Sequence, residues 1–230
     1  MLFPKLVVFD LAGTTVDGAD QVPHFLQKAL ADYGVDIPFA DANERMGLPK
    51  PVAIRELLEI HALPPTTTDD LVSRIHRRFV QDMTDYYQNS PDVKEKEGTS
   101  ETFAFLKKHN IRVAVDTGFD RQITDAILER LCWRARNLID TSVTSDEVEN
   151  GRPHPDMILK AMQLTGIAEV TEVAKVGDTA SDMQQGRSAG CRWVIGVTTG
   201  AYTAEELQKE PHTHLIQKLA ELPAIFGLAF

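Results

Sequence analysis

The sequence predicts an α/β chain: a Rossmann-like parallel sheet with helices around it, and a helical unit inserted after the first strand. Three observations carry this expectation. The apolar run Leu6-Val7-Val8-Phe9 reads as a buried strand. From residue 99 onward, short apolar strands alternate with helical patterns, which is the mark of βαβ units and a parallel sheet. Between these two regions the chain reads as helices only.

The elements follow in order. A strand is expected at residues 5–9. Helical patterns cover Val22–Tyr33, Pro51–Leu58 and a long stretch from Asp69 to Gln88. A helix over Thr99–Asn110 leads to a strand at Val113-Ala114-Val115, and a helix over Arg121–Leu131 leads to a strand near Leu138–Val143. Then come a helix at Pro155–Thr165, a strand at Glu172–Val176, a helix at Ala180–Ala189 and a strand at Trp193–Val197. The first strand must join the later ones in one sheet. Residues 1–16 and 96–230 are therefore expected to form an α/β core, and residues 17–95 a smaller helical domain. Gly-, Pro- and charge-rich edges mark its ends, Asp17-Gly18-Ala19-Asp20 and Ser90-Pro91-Asp92 through Glu97-Gly98.

Composition narrows the class. The 230 residues are 43% hydrophobic and 25% charged, an ordinary globular balance. A formal net charge of −10 opposes nucleic acid and acidic lipid, which bind clustered Lys and Arg. No apolar run approaches the ~20 residues of a membrane span. Two cysteines, Cys132 and Cys191, imply no disulfide framework. No signal peptide pattern opens the sequence. The expectation is a cytoplasmic protein with a small-molecule substrate, no nucleic acid and no membrane.

Four segments carry chemistry, and they occur in the order a strand-tip site requires. Asp10 ends the first strand and leads into Leu11-Ala12-Gly13-Thr14, so it is a candidate nucleophile. Thr117 and Gly118 follow the next strand, where a hydroxyl and a backbone N–H can hold a phosphoryl oxygen. Arg152, in Gly151-Arg152-Pro153, offers a rigid fork for phosphate or carboxylate. Asp178 and Asp182 stand four apart at a strand-to-helix junction and can serve a hard cation such as Mg²⁺. Asp178 is the better ligand; Asp182 has helix capping as an alternative use.

Together these segments resemble the haloacid dehalogenase superfamily over nearly the whole chain, with the helical insert where that superfamily carries its cap domain. Finer features resemble the phosphonoacetaldehyde hydrolases: D-x-A-G-T at Asp10, T-G-F at Thr117, G-R-P at Arg152, and Met46-Gly47-Leu48-Pro49-Lys50 in the insert. The resemblance implies a Mg²⁺-dependent hydrolase acting on a small phosphonate or phosphorylated substrate. Asp10 would form an aspartyl phosphate and Lys50 a Schiff base with the substrate aldehyde. Thr117, Arg152, Gly13, Gly118 and Met46 would bind substrate. Asp10, the Ala12 carbonyl, Asp178 and Asp182 would hold the metal. It also implies a homodimer.

Ala12 is the informative departure from phosphatases, which carry at that point an Asp that protonates the leaving alcohol. A C–P bond that breaks into an iminium needs no such acid. Two other positions depart from the phosphonatase pattern. Ala53 stands where that family has a His three residues after its Lys, and Gly18-Ala19-Asp20 lacks its linker Cys. His24 and His61 are candidate substitutes, and His154 is a candidate neighbour of the site. His76 reads as a helix-surface residue, and His109, His212 and His214 as surface or terminal-helix positions. The rival readings are a phosphoglycolate-type phosphatase, a 2-haloacid dehalogenase and a non-catalytic phospho-ligand sensor. The missing acid at position 12 opposes the first. The retained Asp178 and Asp182 oppose the second, and Asp10 with both opposes the third.

Overall fold

A computed structural model describes residues 3–18, 20–61 and 68–228. Ala19, at the expected edge of the insert, lies outside the described residues. Strand β1 (Leu6–Phe9) is buried along its whole length, Val7 and Phe9 on one face of the sheet and Leu6 and Val8 on the other. A sheet covered on both faces explains why its strand sequence is continuously apolar.

Four helices follow β1: α1 (Gln21–Ala31), α2 (Phe39–Asn43), α3 (Lys50–His61) and α4 (Asp69–Asn89). In α4 the buried residues Val72, Ile75, Phe79, Val80, Met83 and Tyr87 recur at helical spacing, so one stripe faces inward. Thr68 starts α4, its hydroxyl accepting the Leu71 N–H at 3.2 Å. The stripe packs against α1 and α3, and also against a helix of the sheet region, α6.

The remainder alternates as expected: α5 (Thr99–Lys108), β2 (Arg112–Thr117), α6 (Arg121–Arg130), β3 (Thr141–Thr144), α7 (Asp156–Thr165), β4 (Val173–Gly177), α8 (Ala180–Ala189) and β5 (Trp193–Val197). Short elements close the chain: α9 (Ala204–Leu207), β6 (His214–Ile216) and α10 (Leu222–Ile225). The six strands are parallel in the order β3-β2-β1-β4-β5-β6. Phe9 sits in register with Val115 of β2 and with Val176 of β4. The carboxyl ends of β1, β2 and β4 are therefore adjacent. Strand order reverses between β1 and β4, the point where such sheets leave a crevice.

The structure corrects some local expectations. His214 is exposed, as the surface alternative expected, but it lies in β6 and not in a terminal helix. α2, β6, α9 and α10 were not expected; each has five residues or fewer, too short for periodicity to register. His76 is on a helix as expected, but its side chain is only 18% exposed and paired. Among the described residues no helix is long and apolar enough to cross a membrane.

Candidate active site

The turn after β1 sets the first side chain. Asp10 N–H donates to Val176 O at 2.9 Å, which ties the strand tip to β4. The next residues turn back at once: the N–H groups of Thr15 and Val16 both donate to Leu11 O. Gly13 adopts φ 94° here, a conformation that favours glycine. The turn points Thr14 Oγ1 at Asp178 Oδ1, 2.6 Å away.

The β4 tip supplies the other carboxylates. Asp178 accepts from Ala201 N–H at 2.7 Å on its second oxygen. Asp182 caps α8 as the alternative reading anticipated, one oxygen accepting from the Thr179 hydroxyl at 2.6 Å. Its other oxygen lies 2.9 Å from Arg152 and 3.0 Å from Lys175. One oxygen caps the helix while the other faces the two cations. Asp10, Asp178 and Asp182 bring one carboxylate oxygen each within 4.8 Å of one another, all buried.

Arg152 is fully buried and spans this group. It reaches Asp10 Oδ1 at 2.7 Å, Asp116 Oδ1 at 2.6 Å and Asp116 O at 2.7 Å. Lys175, also fully buried, touches Asp116 and Asp182. Sequence reasoning missed both Asp116 and Lys175. The signal was there for Lys175: a charge inside the apolar strand Val173–Val176 must be paired if that strand is buried. Lys96 was missed too; it donates to Gly13 O and Thr199 O, each at 2.7 Å, and faces Asp178.

The electrostatics follow from burial. Four buried carboxylates, Asp10, Asp116, Asp178 and Asp182, stand against three buried cations, Arg152, Lys175 and Lys50. Burial pushes Asp10 up to about 7, with Asp182 and Asp178 adding to the rise and Arg152 opposing it. Burial likewise pushes Asp178 up to about 6, with the neighbouring Asp182 charge adding. Asp182 is held low: burial favours its neutral form, but Arg152 and Lys175 outweigh that. Crowded hard oxygen donors with an excess of negative charge fit a divalent cation of the Mg²⁺ kind.

The insert contributes the opposite wall. Met46 and Lys50 line a cavity with Asp10, Ala12, Thr117, Gly118 and Phe119. The cavity holds about 20 Å³, little more than one water. Lys50 is 3% exposed, and its Nζ donates to Leu48 O at 3.1 Å and lies 5.5 Å from the centre of the Phe119 ring. Burial lowers its amine to about 8, Arg152 adding to the fall, while Asp10 and Asp120 oppose it. The backbone approach is close. A Cβ on Gly118 would come 2.5 Å from Leu48 O, and one on Gly47 would come 2.4 Å from Thr179 Oγ1.

All ten sequence-derived residues thus lie at or beside one place. Asp10, Ala12, Met46, Lys50, Thr117 and Gly118 line the cavity, Arg152, Asp178 and Asp182 stand behind Asp10, and Gly13 forms the turn. The candidate histidines do not join them. His154 is exposed. His61 pairs with Asp41 at 2.6 Å, and His24 meets Gln27 and the Phe39 ring.

A family described as haloacid dehalogenase-like hydrolase matches residues 7–197. A phosphonoacetaldehyde hydrolase of Bacillus cereus (strain G9842) is 31% identical over 231 residues, covering 94% of this chain and 85% of that protein. Among solved structures, a phosphonoacetaldehyde hydrolase-like protein from Oleispira antarctica superposes with TM-score 0.82 at 21% identity, over 99% of this chain and 94% of that one. A putative phosphoglycolate phosphatase from Lactobacillus delbrueckii subsp. bulgaricus does so with TM-score 0.80 at 20% identity, over 98% and 100%.

Proposed function

The chain belongs to the haloacid dehalogenase-like hydrolases, and within that family we propose that it cleaves the C–P bond of a small 2-oxoalkyl phosphonate such as phosphonoacetaldehyde. Residues 17–95 serve as a cap over the α/β core. The observation that carries this reading is the buried Lys50 amine in the cavity that Asp10 also lines. An amine lowered by burial is a nucleophile near neutral pH. The 31% identity to a phosphonoacetaldehyde hydrolase supports the same substrate class.

The reaction then runs in ordered steps. The neutral Lys50 amine adds to the aldehyde carbon, and the adduct takes up one proton from solvent and loses water, leaving a protonated imine. Asp10 attacks phosphorus. The C–P bond breaks, and its electron pair moves into the imine, leaving a neutral enamine on Lys50 and an aspartyl phosphate on Asp10. Water hydrolyses the acyl phosphate to inorganic phosphate. Protonation of the enamine carbon and hydrolysis release acetaldehyde and free Lys50. No alcohol oxygen leaves, so Ala12 in place of an acid is consistent with turnover.

Thr117, Gly118 and Arg152 hold phosphoryl oxygens, and Arg152 also orients Asp10. Asp10, Asp178, Asp182 and the Ala12 carbonyl would hold Mg²⁺, which supplies charge neutralisation at the phosphoryl group when bound. The cavity between cap and core holds little more than one water, so the cap moves to admit substrate and closes to exclude water.

Borohydride reduction tests the reading. It converts a protonated imine into a stable secondary amine. Phosphonoacetaldehyde plus borohydride is expected to add mass to the Lys50 peptide, and Lys50→Arg to abolish the adduct, because a guanidinium stays protonated. An unmodified Lys50 in a protein that hydrolyses phosphate esters well overturns the reading in favour of a phosphatase.

A further inference from the structure

Lys50 faces a core loop that α4 grips from the other side. Phe119 lies beneath the amine, its ring centre 5.5 Å from Nζ. The next residue, Asp120, is the N-cap of α6, yet its side chain makes no capping bond. The Arg121 N–H at the start of that helix is satisfied instead by Asp146 Oδ1 at 3.1 Å. The Asp120 carboxylate is thereby freed, and its Oδ1 lies 3.1 Å from His76 Nε2 on α4. Both side chains are largely buried, 18% and 20% exposed. One turn further along α4, Phe79 packs on Phe119 with ring centres 6.4 Å apart, and Tyr87 meets the same ring at 6.0 Å.

We propose that Asp120 and His76 are positioning residues for Lys50: the pair pins the Phe119–Asp120 loop to α4 and sets the charge that the amine feels. Its use in catalysis rests on the Schiff-base reading above. The charged groups facing Lys50 are Asp10 at the β1 tip, Arg152 before α7 and Asp120 at the start of α6. Asp120 raises the amine against the burial that lowers it. The other elements packed on α4 send their charges elsewhere along it. Lys28 of α1 pairs with Asp82, and Arg55 of α3 pairs with Asp69. The Asp120 carboxylate is what α6 offers His76. The contact holds that carboxylate in place on the α4 side of the loop.

The test needs no substrate. The full chain is labelled with acetic anhydride across a pH series, and acetylation of Lys50 is followed by mass spectrometry. Asp120→Asn removes the charge and keeps the shape. Its labelling midpoint is expected to fall by about 0.5 pH unit or more, giving about threefold more neutral amine below the midpoint. His76→Leu unpins the loop. Its labelling rate above the midpoint is expected to rise about threefold or more, and His76→Gln, which keeps a hydrogen bond to Asp120, to stay within about twofold of the wild type. An unchanged midpoint in Asp120→Asn overturns the electrostatic role, and an unchanged rate in a folded His76→Leu overturns the pinning. Should His76→Leu fail to fold, Asp120→Ala, which breaks the same contact from the other side, decides the pinning by its labelling rate above the midpoint. Borohydride trapping of the wild type is scored separately. A midpoint shift without trapping sinks the Schiff-base reading and keeps the positioning; trapping without either labelling effect does the reverse.

Discussion

Replacing Gly118 by Ala adds one methyl group where the insert meets the core. Its Cβ would lie 2.5 Å from Leu48 O and 2.8 Å from Gly47 O, whereas ordinary contact begins near 3.4 Å. The insert loop must therefore retreat by about 0.9 Å. Both obstacles are backbone atoms, so no side-chain rotation relieves them. Gly118 does not have a positive φ, so the penalty is steric and not conformational. Overpacking of this kind costs about 1–3 kcal/mol. For a chain of this size that lowers Tm by roughly 2–12 °C. Lys50 sits two residues beyond Leu48 and is bonded to its carbonyl at 3.1 Å, so the amine moves with the loop. A displacement near 1 Å at a reacting group costs on the order of 100-fold in rate. Gly118→Ala is expected to fold, to melt lower by calorimetry, and to lose about 100-fold in kcat/KM for phosphonoacetaldehyde in a phosphate-release assay. Wild-type melting with activity within about twofold of wild type refutes the reasoning, because the loop then does not rest on Gly118 during turnover.

Four other outcomes follow from the buried charges. Lys175→Met leaves Asp116 and Asp182 short of a buried cation; urea unfolding is expected to show a loss of about 3–5 kcal/mol, and a loss below about 1 kcal/mol contradicts the pairing. Trapping at Lys50 needs the neutral amine, whose midpoint is about 8; the trapping rate should climb about tenfold between about pH 6 and pH 7 and level off above the midpoint, whereas a climb continuing past about pH 10 contradicts the lowered amine. The same shift has a stability sign. Lys50 binds fewer protons folded than unfolded between about 8 and 10.5, so its contribution to stability grows as pH rises through that window. Mg²⁺ is expected to raise the Tm of the wild type and not of Asp178→Asn, and equal shifts in both argue against a metal at Asp178.

Much of this was legible in the sequence because the sheet strands are buried on both faces. Leu6–Phe9, Val173–Val176 and Trp193–Val197 are apolar runs for that reason, and a polar residue just past each tip stands out. Asp10 and Asp178 were found that way, and Thr117 by the Thr-Gly pair that follows the expected strand at Val113–Val115. Lys50 was found by resemblance; on residue type alone a Lys is a solvated surface charge, whereas it is buried against Phe119. Asp116 escaped because a single Asp at a strand end names no partner, and Lys175 because a charge in a buried strand demands a partner without saying which. Their meaning lies in a contact between β2 and β4 across β1, a pairing of residues 59 positions apart. His76 was misread for the same reason. Its helix spacing is unremarkable, and the partner that buries it, Asp120, comes from another element.

The central claim is that Lys50 makes this core a C–P hydrolase, and product analysis tests it most directly. Purified protein with Mg²⁺ is offered phosphonoacetaldehyde and phosphoglycolate separately, and phosphate and acetaldehyde are measured. The account predicts equal amounts of phosphate and acetaldehyde from phosphonoacetaldehyde, little phosphate from phosphoglycolate, and no turnover of the phosphonate by Lys50→Arg. Preferred hydrolysis of phosphoglycolate, indifferent to Lys50→Arg, contradicts it.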